Sequence, residues 1–156
     1  MTEPAGTPGA PEPASAELDA ELQELVRAAR DVQARAYAPY SRFPVGAAVR
    51  GDGEIFVGVN VENSSYGLTI CAERAAIVAA IAHGERRLRA VAICTDASPP
   101  SSPCGGCRQV LREFAAAPKA FRVIAINPRG ERRTWTLEEL LPDSFSGEEL
   151  PGAPRP

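Results

Sequence analysis

The amino-acid sequence predicts an α/β fold with three layers, α/β/α, in which helices cover both faces of a mixed five-stranded sheet. Apolar periodicity places the elements in the order helix, two strands, helix, strand, helix, two strands. The last two strands are separated only by the turn Asn127-Pro128-Arg129-Gly130, and four residues are too few for a parallel crossover. The last strand is therefore predicted to be antiparallel to its neighbour.

The two ends of the 156-residue chain differ in composition from its centre. They are rich in Pro, Gly and Ala and have almost no large apolar residue to bury. We therefore predict disordered tails at residues 1–15 and 151–156, and a single domain at residues 16–150. A domain of that size buries about two thirds of its unfolded surface, so it needs no disulfide bonds to form a core.

The net charge and the hydropathy of the chain limit which binding partners and which cellular location are expected. A net charge of −3 does not provide the cationic surface that binds a nucleic acid polymer. The N-terminus has no basic stretch followed by an apolar run, and the longest uninterrupted apolar segment, residues 75–82, has eight residues, so we expect neither a signal peptide nor a membrane span. We therefore expect a cytoplasmic protein that contacts neither nucleic acid polymers nor membranes.

The first helix and the first two strands follow from local pattern. Leucine, valine and alanine recur at helical spacing after Ser15, a candidate N-cap, and Pro39 is the predicted stop. Residues 45–50 and 55–61 are rich in valine and other apolar residues and are joined by the turn sequence GDGE. These two segments are predicted to form an antiparallel hairpin.

The remaining elements alternate between helix and strand. A second helix is predicted at residues 71–82, before His83-Gly84. The wholly apolar run AVAIC then indicates a strand that is buried on both faces. A third helix, opened by two cysteines, is predicted to extend to about Ala117. The final strands are predicted at residues 121–126 and 132–136.

Three interpretations compete for Cys104 and Cys107, which stand three positions apart at the start of the third helix, in SPCGGCRQVLREF. A redox pair fits a thiolate at a helix N-terminus but leaves Cys71 unexplained. A closed four-cysteine zinc site would need Cys94, which lies in an apolar strand where a cysteine usually acts as a small buried hydrophobe. A catalytic zinc site needs only three protein ligands and keeps one position open.

A carboxylate beside the first cysteine favours the catalytic interpretation. Cys71-Ala72-Glu73 and Pro103-Cys104-Gly105-Gly106-Cys107 together match the signature of zinc deaminases, in which the glutamate is the general acid and base. Glu73 taken alone would also fit an ordinary first-turn acid that complements a helix dipole. The match is specific because both motifs are present, each at a predicted helix start, with one strand between them.

With these motifs, the chain resembles the small zinc-dependent cytidine deaminases that act on free nucleosides as homotetramers. The resemblance extends from about Ala36 to Leu150, through AYAPYSRFPVGAAV, VNVENSSYGLTICAERAAI, SPCGGCRQVLREF and LLPDSF. It implies the cytidine deaminase-like fold and hydrolytic deamination of cytidine and deoxycytidine in pyrimidine salvage. It also implies one zinc per chain, with Cys71, Cys104 and Cys107 as ligands and Glu73 as the catalytic residue.

The resemblance assigns further residues to the substrate. Asn60 and Glu62 would hold the ribose hydroxyls, which agrees with the shared face of strand residues two positions apart. Phe43 would form a wall of the pyrimidine pocket, and Phe145 would reach the active site of a neighbouring subunit. The implied set of substrate-binding residues is Phe43, Asn60, Glu62, Tyr66, Ala72 and Phe145.

Three thiolates around a dication would lower the acidity that the metal confers on water, so the sequence needs compensating charges. Two helix N-termini and Arg74, which could donate a hydrogen bond to a thiolate, provide them. Three alternatives stay open: deamination of another aminopyrimidine, such as a nucleoside antibiotic; a thioredoxin-like redox protein; and a non-catalytic zinc module.

Overall fold

The computed structural model describes residues 13–152, except for the side chains of residues 13–18 and 148. The outer parts of both predicted tails, residues 1–12 and 153–156, lie outside the described residues, and the domain limits of 16–150 stay a prediction. The helices are α1 (Pro13–Gln33), α2 (Ala72–Ala82), α3 (Gly105–Phe114) and α4 (Leu137–Leu140), and the strands are β1 (Gly46–Arg50), β2 (Ile55–Val59), β3 (Ala90–Cys94), β4 (Arg122–Ile126) and β5 (Arg132–Thr136).

The five strands form one mixed sheet in the order β2-β1-β3-β4-β5. The first strand pairs antiparallel with both β2 and β3, and β3 pairs parallel with β4. The last strand is antiparallel to β4, with Arg122 opposite Thr136. The mixed five-stranded sheet, the first hairpin and the antiparallel last strand are therefore confirmed.

Side chains alternate between two cores, one on each face of the sheet. Val91 and Ile93 of β3 belong to the core shared with α2 and α3, whereas Ala92 and Cys94 belong to the core shared with α1. This is the alternation expected of a strand buried on both faces. The three-layer α/β/α prediction is confirmed.

Two glycines let helix backbones approach the sheet closely. A β-carbon at Gly46 would collide with the backbone of α1 at Ala29 and Gln33. A β-carbon at Gly58 would collide with the backbone of α2 between Ala72 and Ala76. The first turn of α2 therefore lies directly over the end of β2.

The first helix differs from its prediction at both ends. It begins at Pro13, inside the predicted tail, so Ser15 lies within the helix and is not its N-cap. It ends at Gln33, well before Pro39, because the following segment turns away to join the sheet. There Tyr37 donates its backbone N–H to the Asn60 carbonyl and accepts a hydrogen bond from the Glu62 N–H.

Two other elements are shorter than predicted. The strand β2 ends at Val59, and Val61 forms only isolated bridges, to Tyr37 and Ile70. The helix α3 ends at Phe114 because the chain beyond it pairs with the segment before β3, where Ala116 N–H donates to the Leu88 carbonyl. At both places, the predicted regular structure gives way to backbone hydrogen bonds with segments that are distant in the sequence.

The short helix α4 was not predicted. Its N-cap is Thr136, whose hydroxyl accepts a hydrogen bond from the Glu139 N–H while the Glu139 carboxylate accepts one from the Thr136 N–H. This reciprocal arrangement is a capping box, and its sequence signal is the motif Thr136-Leu137-Glu138-Glu139. Along residues 13–152, no helix combines the length and the apolar character needed to cross a bilayer.

Candidate active site

Two helices begin with a cysteine at the same edge of the sheet. Cys71 is the N-cap of α2 and Cys104 is the N-cap of α3, both with extended backbone. The Cys104 Sγ accepts a hydrogen bond from the Cys107 backbone N–H at 3.5 Å. Helix N-termini carry partial positive charge, so both cysteines lie where a bound anion or a ligand set of negative charge would be stabilised.

The sulfur atoms of Cys71, Cys104 and Cys107 converge, since all of them lie within 4.8 Å of one another. The Sγ atoms of Cys71 and Cys104 are 4.0 Å apart. Tetrahedral zinc with Zn–S bonds of about 2.3 Å requires sulfur atoms about 3.8 Å apart. The donor set and its spacing therefore fit one zinc ion per chain.

Cys94 lies on the other face of the sheet. It is fully buried in the α1 core, and its thiol donates a hydrogen bond to Gln33 Oε1 at 3.2 Å. The Gln33 amide in turn donates to the Pro44 carbonyl and to Asp96 Oδ1. Cys94 is therefore a buried structural residue, as predicted, and the closed four-cysteine site is excluded.

The surroundings of Cys71 and Cys107 shift the pKa values of the two thiols in opposite directions. A hydrogen bond from the Cys107 thiol, together with Arg74, lowers the pKa of Cys71 to about 5, against the effect of partial burial. The pKa of Cys107 is raised by the same hydrogen bond and by burial. Arg74 Nη2 lies 3.7 Å from Cys71 Sγ and donates to the Thr69 carbonyl at 3.1 Å. The guanidinium is thus fixed beside the first thiol.

Glu73 lies in the first turn of α2, between the cysteines and the core. Its side chain is 5% exposed. Burial is the main cause that raises the pKa of its carboxyl, and the charge of Cys71 adds to it. A buried carboxyl beside the three thiols is placed to accept and return a proton.

A cavity of about 430 Å³ opens beside the cysteines and Glu73. Such a volume suits a small polar ligand. Its walls come from the first turn of α2, the loop before Cys104 and the ends of β1, β2 and β3. Of the predicted substrate-binding residues, Phe43, Asn60, Glu62 and Ala72 line it.

Asn60 and Glu62 lie just beyond the end of β2 and organise the loop before β1. The Asn60 side chain accepts a hydrogen bond from the Val45 N–H at 2.8 Å and donates one to the Phe43 carbonyl at 2.9 Å. Glu62 Oε2 accepts hydrogen bonds from the N–H groups of Tyr40 and Ser41. Hydrogen bonding from the Ser41 side chain is the main cause that lowers the pKa of Glu62. Sequence reasoning did not anticipate these contacts with the protein's own backbone.

Two of the three aromatic residues predicted for the site, Tyr66 and Phe145, lie outside this cavity. Tyr66 is 75% exposed and packs edge-on against Tyr40, with ring centroids 5.9 Å apart. Phe145 is 58% exposed, and its carbonyl accepts a hydrogen bond from Gln109 on α3. Neither ring is among the described residues that line the cavity within a single chain.

Several cavity residues were missed from the sequence. They are Ser41, Val45, Thr69, Ile93, Thr95, Ser101 and Ser102. For Thr95 a signal was present, because it is the polar residue directly after a wholly apolar strand. Ser101 and Ser102 gave no signal, since they belong to a Ser/Pro-rich loop with no periodicity.

Known proteins are similar to this chain over most of its length. A family model of the cytidine and deoxycytidylate deaminase zinc-binding region matches residues 19–123. The cytidine deaminase of Sporosarcina psychrophila is 42% identical over 131 residues, which cover 83% of this chain and 95% of that protein. The cytidine deaminase of Halalkalibacterium halodurans is 43% identical over 129 residues, or 82% of this chain and 96% of that protein.

Solved structures give the same result. The crystal structure of cytidine deaminase from Burkholderia pseudomallei has a TM-score of 0.74 and 44% sequence identity, over 79% of this chain and 98% of that chain. The crystal structure of cytidine deaminase from Mycobacterium tuberculosis has a TM-score of 0.69 and 42% identity, over 80% of this chain and 97% of that chain. The similarity therefore covers nearly the whole of each solved chain.

Proposed function

Because the chain belongs to the cytidine and deoxycytidylate deaminase family, we propose that it is a zinc-dependent cytidine deaminase. It hydrolyses cytidine and deoxycytidine to uridine and deoxyuridine, with release of ammonia, and serves pyrimidine salvage in the cytoplasm. The observation that carries this proposal is the convergence of three thiols beside the buried Glu73, at the wall of a cavity of about 430 Å³.

Cys71, Cys104 and Cys107 hold one zinc ion in this proposal. When bound, the zinc supplies the Lewis acidity that makes water nucleophilic near neutral pH. Glu73 would accept one proton of the water and pass it to ring nitrogen 3, then accept the proton that remains on the added oxygen and pass it to the departing amine, so that uridine and ammonia are released. The burial that raises the pKa of Glu73 suits this double role.

The negative charge of the three thiolates is offset by the chain itself. The N-termini of α2 and α3 point at Cys71 and Cys104, and Arg74 donates toward the Cys71 sulfur. Hydrogen bonds to ligating atoms orient them and moderate their charge. Arg74 is therefore a positioning residue whose contact is with the ligand and not with the substrate.

The sugar is held by Asn60 and Glu62. An amide side chain offers two N–H donors and two acceptor lone pairs, and Asn60 uses one of each on the backbone of Phe43 and Val45. The second donor and the second lone pair remain to contact a ribose hydroxyl. Asn60 thus couples the sugar to the segment that carries Phe43, which forms a wall for the pyrimidine.

The active enzyme in this proposal is a homotetramer with shared active sites. Two groups of apolar side chains are all more than 40% exposed: Tyr37, Val61 and Ile70, which backbone bridges connect, and the ring pair Tyr40 and Tyr66. Exposed apolar groups of this kind are typical of a protein interface. A neighbouring subunit covers them and contributes Phe145 to the base.

The activity is tested by ultraviolet assay of cytidine, deoxycytidine and aminopyrimidine nucleoside analogues, with zinc quantified in the same preparation. We expect one zinc per chain and turnover of both natural nucleosides. Turnover restricted to an analogue would show a different substrate. Zinc without turnover on any nucleoside would support an inert zinc module, and neither zinc nor turnover would support the redox protein.

The shared site is tested by mixing two variants, Phe145→Ala and Glu73→Gln, each nearly inactive alone at subsaturating cytidine. In mixed oligomers, an intact Glu73 from one chain meets an intact Phe145 from its neighbour, so activity should recover. The matched control replaces Glu73→Gln with the double variant that also carries Phe145→Ala, which supplies no Phe145. Recovery equal to that control, or a fully active wild-type monomer by sedimentation, would exclude the shared site.

A further inference from the structure

Thr95 carries a buried hydroxyl that no hydrogen bond of the described residues satisfies. The residue is 3% exposed, and its Oγ1 atom has no partner. Buried hydroxyls in proteins are nearly always hydrogen-bonded, and an unsatisfied one destabilises the fold. Thr95 also lines the cavity beside the cysteines, so a ligand in that cavity can supply the missing partner.

The direction of the Thr95 side chain follows from the sheet. Thr95 comes directly after β3, and its backbone N–H continues the ladder by donating to the Ile126 carbonyl. Cys94 faces α1, so the alternation of a strand turns Thr95 to the opposite face, toward α2 and α3. Ile93 shares that face and lines the same cavity.

The register of the sheet places Thr95 at the base end of the cavity. Gly46 is opposite Cys94, so the same register sets Val45 opposite Thr95, and Asn60 donates its backbone N–H to the Val45 carbonyl. Thr95 is therefore two strands from Asn60, a separation of about 10 Å. If Asn60 holds the ribose, this distance brings Thr95 to the pyrimidine and not to the sugar.

We propose that the Thr95 hydroxyl accepts a hydrogen bond from the exocyclic 4-amino group of the nucleoside and so orients the amine for departure. This inference rests on the proposed function. The base has three polar positions, and Glu73 serves ring nitrogen 3. The first backbone N–H groups of α2 have no acceptor within the helix and suit the 2-carbonyl oxygen. Glu73 meets the amine only as it departs, so the amine of the bound nucleoside still needs an acceptor, and a threonine hydroxyl can accept from it.

The experiment compares Thr95→Val, which replaces the hydroxyl with a methyl group of similar size, with Thr95→Ser, which keeps the hydroxyl. Thr134→Val makes the same chemical change at an exposed position on β5 and is the matched control. Each variant is assayed for kcat/KM on cytidine, for inhibition by the pyrimidin-2-one ribonucleoside, which lacks the 4-amino group, and for its melting temperature without ligand.

We expect Thr95→Val to lower kcat/KM on cytidine by about 3- to 10-fold, the effect of one neutral hydrogen bond. Its inhibition constant for the pyrimidin-2-one ribonucleoside should stay within about 2-fold of wild type, because that ligand has no amine to lose. Thr95→Ser should retain most of the activity. The melting temperature of Thr95→Val should not fall, because the substitution removes an unsatisfied hydroxyl.

Other results overturn the proposal in distinguishable ways. An equal loss on both ligands, or no loss, would show that Thr95 does not contact the amine. A lower melting temperature accompanied by equal losses in Thr95→Ser would make the residue structural. A wild-type enzyme that does not deaminate cytidine would remove the proposed function, and this inference with it.

Discussion

The cysteines on the two faces of the central sheet have different surroundings. On the α1 face, Cys94 is fully buried and donates a hydrogen bond to Gln33, whose amide donates in turn to Asp96. On the α2 and α3 face, Cys107 is equally buried, but its sulfur lies near those of Cys71 and Cys104. Burial and residue type therefore do not make a metal site. The convergence of several donors at helix N-termini does.

The same contrast extends to the size of the side chains. The strand residues on the α1 face are mostly small, such as Ala48, Ala90 and Ala92, so α1 packs close to the sheet along its length. The other face carries Val49, Val91 and other larger side chains, and the loops at its end enclose the cavity. Both faces carry a hydrophobic core, but only the α2 and α3 face has the candidate site at its edge.

The largest expected effect distinguishes the two faces by metal content. Cys104→Ala removes one of three ligands, so we expect zinc to fall well below one per chain and turnover to be lost. Cys94→Ala is the matched substitution on the other face and should retain one zinc per chain and full turnover. Atomic absorption on the purified proteins measures both. Equal zinc loss in the two variants would contradict the difference between the faces.

The next effect separates metal binding from proton transfer on the same face. Glu73→Gln keeps the shape of the side chain and removes its capacity to carry a proton. We expect kcat to fall by about 100- to 10,000-fold, as is typical of a general acid or base. Zinc content and melting temperature should stay near wild type. Near-normal turnover would remove Glu73 from the mechanism.

Elements with strong local signals could be predicted from the sequence. The four-residue turn determined the direction of the last strand, and AVAIC gave β3 at its observed limits. The ends of α1, β2 and α3 could not be predicted in the same way. Their limits depend on backbone hydrogen bonds to segments far along the chain, such as Tyr37 to Asn60 and Ala116 to Leu88.

The candidate site divides along the same line. The three proposed zinc ligands and Glu73 belong to two local motifs at helix starts, so sequence spacing alone was enough to identify them as candidates. Thr95 and Ser102 line the cavity because β3 and the loop before α3 end beside α2, which no local pattern specifies. The double contact of Asn60 with Phe43 and Val45 depends likewise on the register between β1 and β2.

Alanine substitutions at two glycines test whether activity depends more on the α2 and α3 face of the sheet than on the α1 face. Gly58→Ala drives a β-carbon into the α2 backbone, and Gly46→Ala drives one into α1. We expect each to lower the free energy of unfolding by about 1–3 kcal/mol, as overpacking does. Only Gly58→Ala displaces the helix that carries Glu73, so kcat should fall about 10- to 100-fold there.

For Gly46→Ala we expect kcat within about 3-fold of wild type, because α1 carries none of the proposed site residues. Chemical denaturation and steady-state kinetics on the same preparations give both quantities. Equal losses of kcat in the two variants at equal stability would show that the faces do not act independently.

The smallest effect is expected from Cys94, where only packing and one hydrogen bond are changed. Cys94→Ala leaves a small cavity between β3 and α1 and removes the donor to Gln33 Oε1, so we expect a loss of about 1–2 kcal/mol in unfolding free energy. Cys94→Ser restores a donor but places a more polar group in an apolar core. If the hydrogen bond to Gln33 matters most, the serine variant should be more stable than the alanine variant. If apolar packing matters most, it should be less stable. In either case kcat and zinc content should equal those of wild type, and a drop in either would mean that the α1 face takes part in the chemistry after all.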